Sequence, residues 1–416
     1  MQGNVGSAAG TLRSPGYQMM LVGLLSLNFG IVFFDRQALN VLMPFVQPEF
    51  SLTDTQVGWI AAGLSFTWAI AAFGVGKLSD TIGRRKLLLI LSTLAFSFCS
   101  FLTGVASSFA FLIGTRLLMG VAEGGVMPIS HAMIATEVSR ERRGLAQGVA
   151  QNLGSNLLGS FLAPVVLIAF ANHFGWREAF YLAGIPGIVS AILMWFLIEE
   201  PAAPPKAAAH DKMTILDALK IRNIWIIVVF GVLMVAHFVI TWAFMPLYLV
   251  QVRGIDTDTM SWLMGALGVA AAVYSFGISG LSDIIGRKPV MVVLPFLSVI
   301  GPLAAMYFTG SPFVMAALFV VGWAVNGTFP IFMATIPSET VEARHHATVL
   351  GLAMGACEIL GGVAGPPVAG MLNDAFGRSS FLWLQMGLAV VSGFFALFLV
   401  ETAPSQLRKR GLAPVG

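Results

Sequence analysis

"LNFGIVFFDRQALNVLMPFV", residues 27–46, decides how this chain is read. It has the look of an apolar helix interior, yet Asp35 and Arg36 stand side by side at its centre. The surroundings sharpen the puzzle. The chain has 416 residues, 57% of them hydrophobic and only 10% charged, with 45 glycines. A soluble domain carries about 25% charged residues, so this composition predicts a protein immersed in lipid. Apolar runs of about 20 residues match a hydrocarbon core about 30 Å thick. Abundant glycine suits helices that pack closely in lipid, where small residues let backbones approach.

Working outward from helix 1, twelve apolar spans are predicted, at 17–46, 54–76, 87–107, 109–135, 144–171, 179–199, 222–250, 259–279, 289–309, 312–336, 346–371 and 380–400. The stretch "EEPAAPPKAAAHDKMTILDALK" (199–220) reads as a linker with one short amphipathic helix. The organisation expected is a six-helix bundle over 1–200, a cytoplasmic linker over 201–220 and a second bundle over 221–416. The first 16 residues lack the pattern of a cleavable signal, so the first apolar segment is expected to stay as an anchor. Cys99 and Cys357 fall inside apolar runs and read as buried small side chains.

Charge gives the orientation. Arg13, Lys77, Arg84, Arg85, Lys86, Arg140, Arg142, Arg143, Lys206, Lys212, Lys220, Arg222, Arg287, Lys288, Arg344 and "RKR" (408–410) fall on one side, and Arg177, Arg253 and Arg378 on the other. The basic side should face the cytoplasm, with both termini there, in a bacterial inner (plasma) membrane. A net charge of +3 with no long basic run gives no footing for nucleic acid.

The halves repeat. "MP" at 43–44 recurs at 245–246, Pro128 at Pro330, Glu137 at Glu339, Pro164 at Pro366 and "FG" at 174–175 at 376–377, all at an offset of 202. "LSDTIGR" (78–84) recurs as "LSDIIGR" (281–287), one residue further. A constant offset along the whole chain implies a duplicated six-helix unit. Two such units face each other in secondary transporters, with the binding site near the midplane. The fold class expected is therefore an all-α membrane protein of twelve transmembrane helices in two pseudo-symmetric six-helix bundles.

These motifs resemble the major facilitator superfamily over essentially the full length. "GKLSDTIGRRK" (76–86) is similar to its signature between helices 2 and 3, and "GLSDIIGRK" (280–288) to the weaker copy between helices 8 and 9. "DRQALNVLMP" in helix 1 and "RLLMGVAEGGVMP" (116–128) in helix 4 resemble the anion:cation symporter family. That resemblance implies alternating-access transport of organic anions, including sugar acids and other carboxylates, often with protons. Many members carry a Tyr followed by Gln-Ile-Pro-Gly where this chain has Ile70 and "AFGVG" (72–76), which leaves the substrate open.

Charges at a helix centre cost about 2.5–3.5 kcal/mol each on insertion scales. Asp35, Arg36, Arg116 and Glu123 must therefore face one another or a watery cavity. Arg116 and Glu123, seven residues apart, share a face of helix 4. Asp35 and Arg36 project about 100° apart, so one can face helix 4 and the other the centre. Arg36 stays charged and can grip a carboxylate with two parallel hydrogen bonds, which makes it the substrate-binding candidate. Asp35 and Glu123 can exchange protons, with Arg116 tuning them, because burial raises a carboxylate's pKa and a nearby arginine lowers it. The alternative is a structural salt-bridge cluster joining helices 1 and 4.

Other candidates are weaker. In the loop signature, Gly76 and Gly83 are expected to permit tight turns, Asp80 to cap a helix start or pair with Arg84, and Arg84, Arg85 and Lys86 to anchor the inner surface. Asp283, Gly286 and Arg287 repeat the arrangement, and the resemblance implies a cytoplasmic latch of the outward-open state. The duplication sets His237 opposite Asp35 and Phe238 opposite Arg36. His237 reads either as a substrate or proton group or as a packed histidine. Glu358, opposite Asn156, reads as a substrate group or a helix-packing residue. Gln151, Asn156 and Asn326 can bond substrate or neighbouring helices. Trp242, Tyr248 and Tyr274 can form an aromatic wall or simply pack.

Adjacent His345 and His346 lack a metal-ligand spacing, and no phosphate-binding loop appears, so neither metal nor ATP is expected, and the coupling ion is the proton. The reading is a monomeric proton symporter for a small organic anion, such as a sugar acid, aromatic acid or monocarboxylate. The rival is a proton-driven drug or metabolite exporter. Exporters of the superfamily carry Gly-Pro in helix 5, where this chain has "GSFLAP" (159–164), while "GGVAGPPVAG" (361–370) lies in helix 11. A sensor or an enzyme fits less well, since there is no long soluble extension and no nucleophile–base pattern.

Overall fold

A computed structural model describes residues 13–201, 213–342, 345–409 and 411. Of the basic residues assigned above, Lys206, Lys212, Arg344 and Arg410 lie outside that set, and so do the side chains of Lys77 and Arg140. Eleven described helices are long and apolar enough to cross a membrane: Pro15–Phe50, Asp54–Val75 (continuing to Ile82), Arg85–Gly104, Phe109–Glu137, Arg142–Phe174, Trp176–Leu197, Arg222–Val252, Thr257–Ile285, Arg287–Tyr307, Pro312–Thr340 and Thr348–Phe376. Ser380–Ala396 is a twelfth, shorter apolar helix. They are numbered helix 1 to helix 12 in that order. A short helix, Ile215–Lys220, precedes helix 7, as the linker sequence suggests.

Local chemistry sets the boundaries. Helix 1 starts behind Ser14, whose hydroxyl accepts from the Tyr17 amide, with Pro15 in the first turn. Thr53 and Gln56 form a capping box for helix 2. Asp256 caps helix 8 by accepting from the Thr259 amide, a bond that holds its carboxyl below the usual carboxylate range. The repeated "FG" dipeptides have a backbone cause. Gly175 and Gly377 take φ of 102° and 98° between helices 5 and 6 and between helices 11 and 12. Side chains rarely tolerate that region, so glycine recurs.

The basic end of the molecule carries the loop signatures. Gly83 ends helix 2 in a left-handed conformation (φ 68°), and Gly286 ends helix 8 at φ 109°. Gly76 corrects the expectation, since it lies inside helix 2 rather than in a turn. The Asp80 side chain lies outside the described ones. Arg84 is exposed, but Arg85 is buried and donates to the Ala132 carbonyl at 3.3 Å, so it ties helix 3 to helix 4 instead of lying on the surface. Arg287 pairs with Asp283 at 2.5 Å and with Glu339 at 2.8 Å. Two acids the sequence reading missed cap the neighbouring helix starts. Glu200 accepts from the Lys86 amide at 3.0 Å, and Glu401 from the Arg287 and Lys288 amides at 2.8 and 3.1 Å.

The two ends of the molecule differ. At the end away from the basic loops, the halves are in backbone contact. A Cβ on Gly370 of helix 11 would lie 2.3 Å from the Asp54 carbonyl of helix 2, and one on Gly268 of helix 8 would lie 2.4 Å from Ser160 of helix 5. Asp374 of helix 11 accepts from the amides of Asp54 and Thr55 at 3.0 and 2.9 Å, capping helix 2 from the other half. Asn373 donates to Asp54 at 3.0 Å. At the basic end the core is divided. One apolar cluster runs through both halves by way of Phe34, Leu42 and Val46 of helix 1, whereas Leu21, Leu25, Met133 and Met194 form a separate cluster within the first half. A Cβ on Gly148 or on Gly351 would meet nothing within 4 Å. Each lies three residues before a cavity-lining residue, Gln151 and Met354, and Gly351 shares an α-helical face with Met354.

Candidate functional site

Between the halves lies a cavity of about 250 Å³. Helices 1, 2, 4 and 5 form one side of it and helices 7, 8, 10 and 11 the other. Among the predicted residues, Arg36, Arg116, Gln151, Asn156, Asn326 and Glu358 line it. Asp35 and Glu123 sit behind the first-half wall, and His237 is elsewhere.

Helix 1 separates its two charges as the 100° rotation requires. Arg36 points inward, with its side chain 20% exposed, over the rings of Phe33 and Trp68 at 5.6 and 5.5 Å. Its Nε stands 4.0 Å from Glu123 Oε2. Neither Glu123 oxygen accepts a hydrogen bond, although the residue is buried. Asp35 turns into the first half, where the Ser100 hydroxyl donates to it at 2.6 Å, and its second oxygen is unpartnered. Arg116 is buried beneath Phe180, with Met119 sulfur at 3.2 Å and with Nε and Nη2 unbonded. Asp35 and Glu123 lie within its electrostatic reach. Two cations and two acids are thus gathered without a close ion pair. Such an arrangement is costly to bury, and it leaves donors and acceptors free to change partners.

His237 follows Asp35 in being buried within its own half, which corrects its placement as a substrate group. Its ring faces helix 12, where Nδ1 is 3.3 Å from the Gln385 carbonyl oxygen, and the Gln385 amide donates to Thr241 at 2.5 Å. It is buried outside the cavity and takes no position for substrate. The next residue, Phe238, takes the place in the second half that Arg36 holds in the first. The aromatic wall is real but differently composed. Trp242 belongs to it, together with Phe238, Trp323 and Phe329. Tyr248 packs on Phe381 at 5.7 Å, and Tyr274 is absent from the lining. The signal for Trp323 was its spacing: Trp323, Asn326, Pro330 and Met333 all line the cavity at helical intervals of three and four.

Helices 5 and 11 leave regular α geometry at matched places. Ser155–Leu162 and Cys357–Val363 are π-helical, 202 residues apart at their starts. Asn156 and Glu358 occupy the second position of each, and both line the cavity. Wide-turn segments of this kind are frequent at functional sites. Glu358 makes no hydrogen bond or ion pair among the described residues, and Arg36 lies within its electrostatic reach.

The family model for the Major Facilitator Superfamily matches residues 25–258 and 232–415. The chain belongs to that superfamily. It is a membrane transporter, not an enzyme. It is 29% identical over 398 residues to the hexuronate transporter of Bacillus subtilis (strain 168), covering 89% of this chain and 92% of that one. It is 30% identical over 404 residues to the 3-(3-hydroxy-phenyl)propionate transporter of Escherichia coli (strain K12), covering 94% and 96%. Among solved structures, a bacterial homologue of the human lysosomal transporter Spinster, in an inward-facing unoccupied conformation, aligns with a TM-score of 0.75 at 18% identity, over 92% of this chain and 96% of that one. That likeness concerns the fold alone.

Proposed function

We propose that this transporter takes up a small organic anion together with protons, by alternating access. The observation that carries the reading is Arg36, a permanent cation in the central cavity whose close acidic neighbour, Glu123, lacks any hydrogen bond. The relatives named for hexuronate and 3-(3-hydroxy-phenyl)propionate transport support a carboxylate as cargo. A carboxylate on the Arg36 guanidinium would form two charge-assisted bonds. It would draw Arg36 away from Glu123, which then takes up a proton to stay buried. Asp35, coupled to Glu123 through Arg116, is the second proton site. Gln151, Asn156, Asn326 and Glu358 would bond the body of the substrate.

The basic loops lie in the cytoplasm by the positive-inside rule, with both termini there, in a bacterial plasma membrane. The state described above is then inward-open, sealed outside by Asp374 and the helix 2–helix 11 contact. Residues 1–200 and 221–416 rock about the cavity, joined by the linker at 201–220. Gly83, Arg84 and Arg85 with Asp80, and Gly286 and Arg287 with Asp283, form the latch that engages when the cytoplasmic side closes. A single chain contains the whole pathway, so the working unit is a monomer, with protons as the coupling ion. One proton per monoanion is electroneutral, whereas two would draw about 2.3 kcal/mol from each 100 mV of membrane potential.

The test is uptake into proteoliposomes with an inward proton gradient, across sugar acids, aromatic acids and short monocarboxylates. Gradient-driven accumulation that a protonophore abolishes is expected. If no anion accumulates and neutral or cationic compounds instead move against protons, the protein is an exporter and the symport reading fails.

A further inference from the structure

The helix 5 face of the cavity and the face made by helices 7 and 10 differ in chemistry, although Phe33 and Trp68 also line the first half and Ser275 and Asn326 the second. Helix 5 presents Gln151, Asn152 and Asn156, whose side chains make no hydrogen bond among the described residues. They are open to a ligand. Across from them, helices 7 and 10 present a linked set of rings. Phe238 meets Trp323 at 5.5 Å and 64°, and Phe329 at 6.1 Å, while Trp242 meets Trp323 at 6.1 Å and 87°. Three charged groups complete the lining, Arg36 and Arg116 from the first half and Glu358 from the second. The cations in the lining, Arg36 and Arg116, both belong to the first half. At about 250 Å³ the cavity is smaller than the ~300–1,000 Å³ typical of drug-sized ligands.

From these features we infer that the substrate is a single-ring aromatic monocarboxylate carrying a hydroxyl away from the carboxylate. This rests on the anion-uptake reading above. The carboxylate sits on Arg36. The ring lies against Phe238, Trp323 and Phe329, where flat apolar surface meets flat apolar surface. Polar substituents along one edge reach Gln151, Asn152 and Asn156. The distal hydroxyl donates to Glu358, which has no other donor. A sugar acid, hydroxylated around its ring, would turn more hydroxyls toward the aromatic wall than Asn326 can receive there, and the rest would lose water without gaining a partner. A dicarboxylate would set its second charge against Glu358, on a wall with no cation to receive it.

The deciding experiment measures uptake by the full-length protein in proteoliposomes under an inward proton gradient. The radiolabelled probes are 3-(3-hydroxyphenyl)propionate, 3-phenylpropionate, glucuronate and isophthalate. The hydroxylated aryl acid is expected to half-saturate at a concentration at least about tenfold below glucuronate. Isophthalate is expected to remain outside. In Glu358→Gln, the preference for the hydroxylated aryl acid over 3-phenylpropionate should shrink from about tenfold to about twofold. If glucuronate is handled as well as the aryl acid or better, the aryl assignment is overturned while anion uptake stands. If isophthalate accumulates, the monocarboxylate assignment is overturned. If no anion accumulates, both this inference and the uptake reading fall. The wild-type panel alone decides among these outcomes, so a poorly folding variant would not leave the question open.

Discussion

The same place in the two halves holds different chemistry. Helix 1 carries Asp35 and Arg36, and helix 7 carries His237 and Phe238 at the offset of 202. In both helices the first residue of the pair is buried within its own bundle and the second enters the cavity. The backbone and the direction of each side chain were duplicated, but the charges were not. What did persist is geometric: the glycine turns at Gly175 and Gly377, the π segments holding Asn156 and Glu358, and the caps made by Glu200 and Glu401. A pathway needs two matching halves to rock, whereas one carboxylate needs one arginine. A second arginine on the aromatic wall would be another charge to desolvate, at several kcal/mol.

If that division is right, the largest effect comes from removing the first half's charges. Arg36→Ala should lower initial uptake by about 100-fold, the ~3 kcal/mol of a charge-assisted carboxylate contact. Glu123→Gln should abolish accumulation against a gradient while keeping exchange of labelled for unlabelled anion within about threefold of wild type. Retained accumulation in Glu123→Gln would move proton coupling elsewhere.

Scaffold substitutions should instead act alike in both halves. Gly148→Leu and Gly351→Leu enter open space in the present state, so each should fold and bind. Each should slow turnover by about tenfold, because the cytoplasmic side can no longer close, a cost of about 1.4 kcal/mol. A tenfold loss in one variant and none in the other would break the symmetry argument. Asp374→Asn weakens a helix cap that joins the halves. A loss of about 1 kcal/mol should raise labelling of an outward-facing cysteine by about fivefold. The smallest effect belongs to His237→Gln. Its ring lies outside the cavity, so transport should stay within about twofold of wild type, with a stability loss of about 1 kcal/mol. A tenfold loss of uptake there would return His237 to the transport path.

Much of the site was legible because lipid makes charge conspicuous. Asp35, Arg36, Arg116 and Glu123 stood out on cost alone, and the rotation between Asp35 and Arg36 followed from helical geometry. Gln151, Asn156 and Asn326 were named but left between substrate and packing, and the structure brings them to the cavity. Phe238 was set opposite Arg36 but not assigned to the aromatic wall, and Trp323 was not named because an aromatic residue in a hydrophobic helix stands out only through its spacing from neighbours such as Asn326. Gly76 was misread since a signature glycine can serve packing as readily as a turn, and here helix 2 runs straight through it.

The sequence by itself determined the membrane class, the span positions, the duplication and the list of expensive charges. Each is a property of composition and period, and hydrocarbon tolerates few alternatives. Only the tertiary structure decided which face of each helix meets the cavity. It set His237 toward Gln385, joined four rings from helices 7 and 10 into a wall, and locked the halves at one end while dividing the apolar core at the other. Those outcomes depend on rotations of about 100° per residue and on side chains far apart in sequence. A pattern read along the chain fixes such rotations only relative to their own helix, and packing between helices supplies the rest.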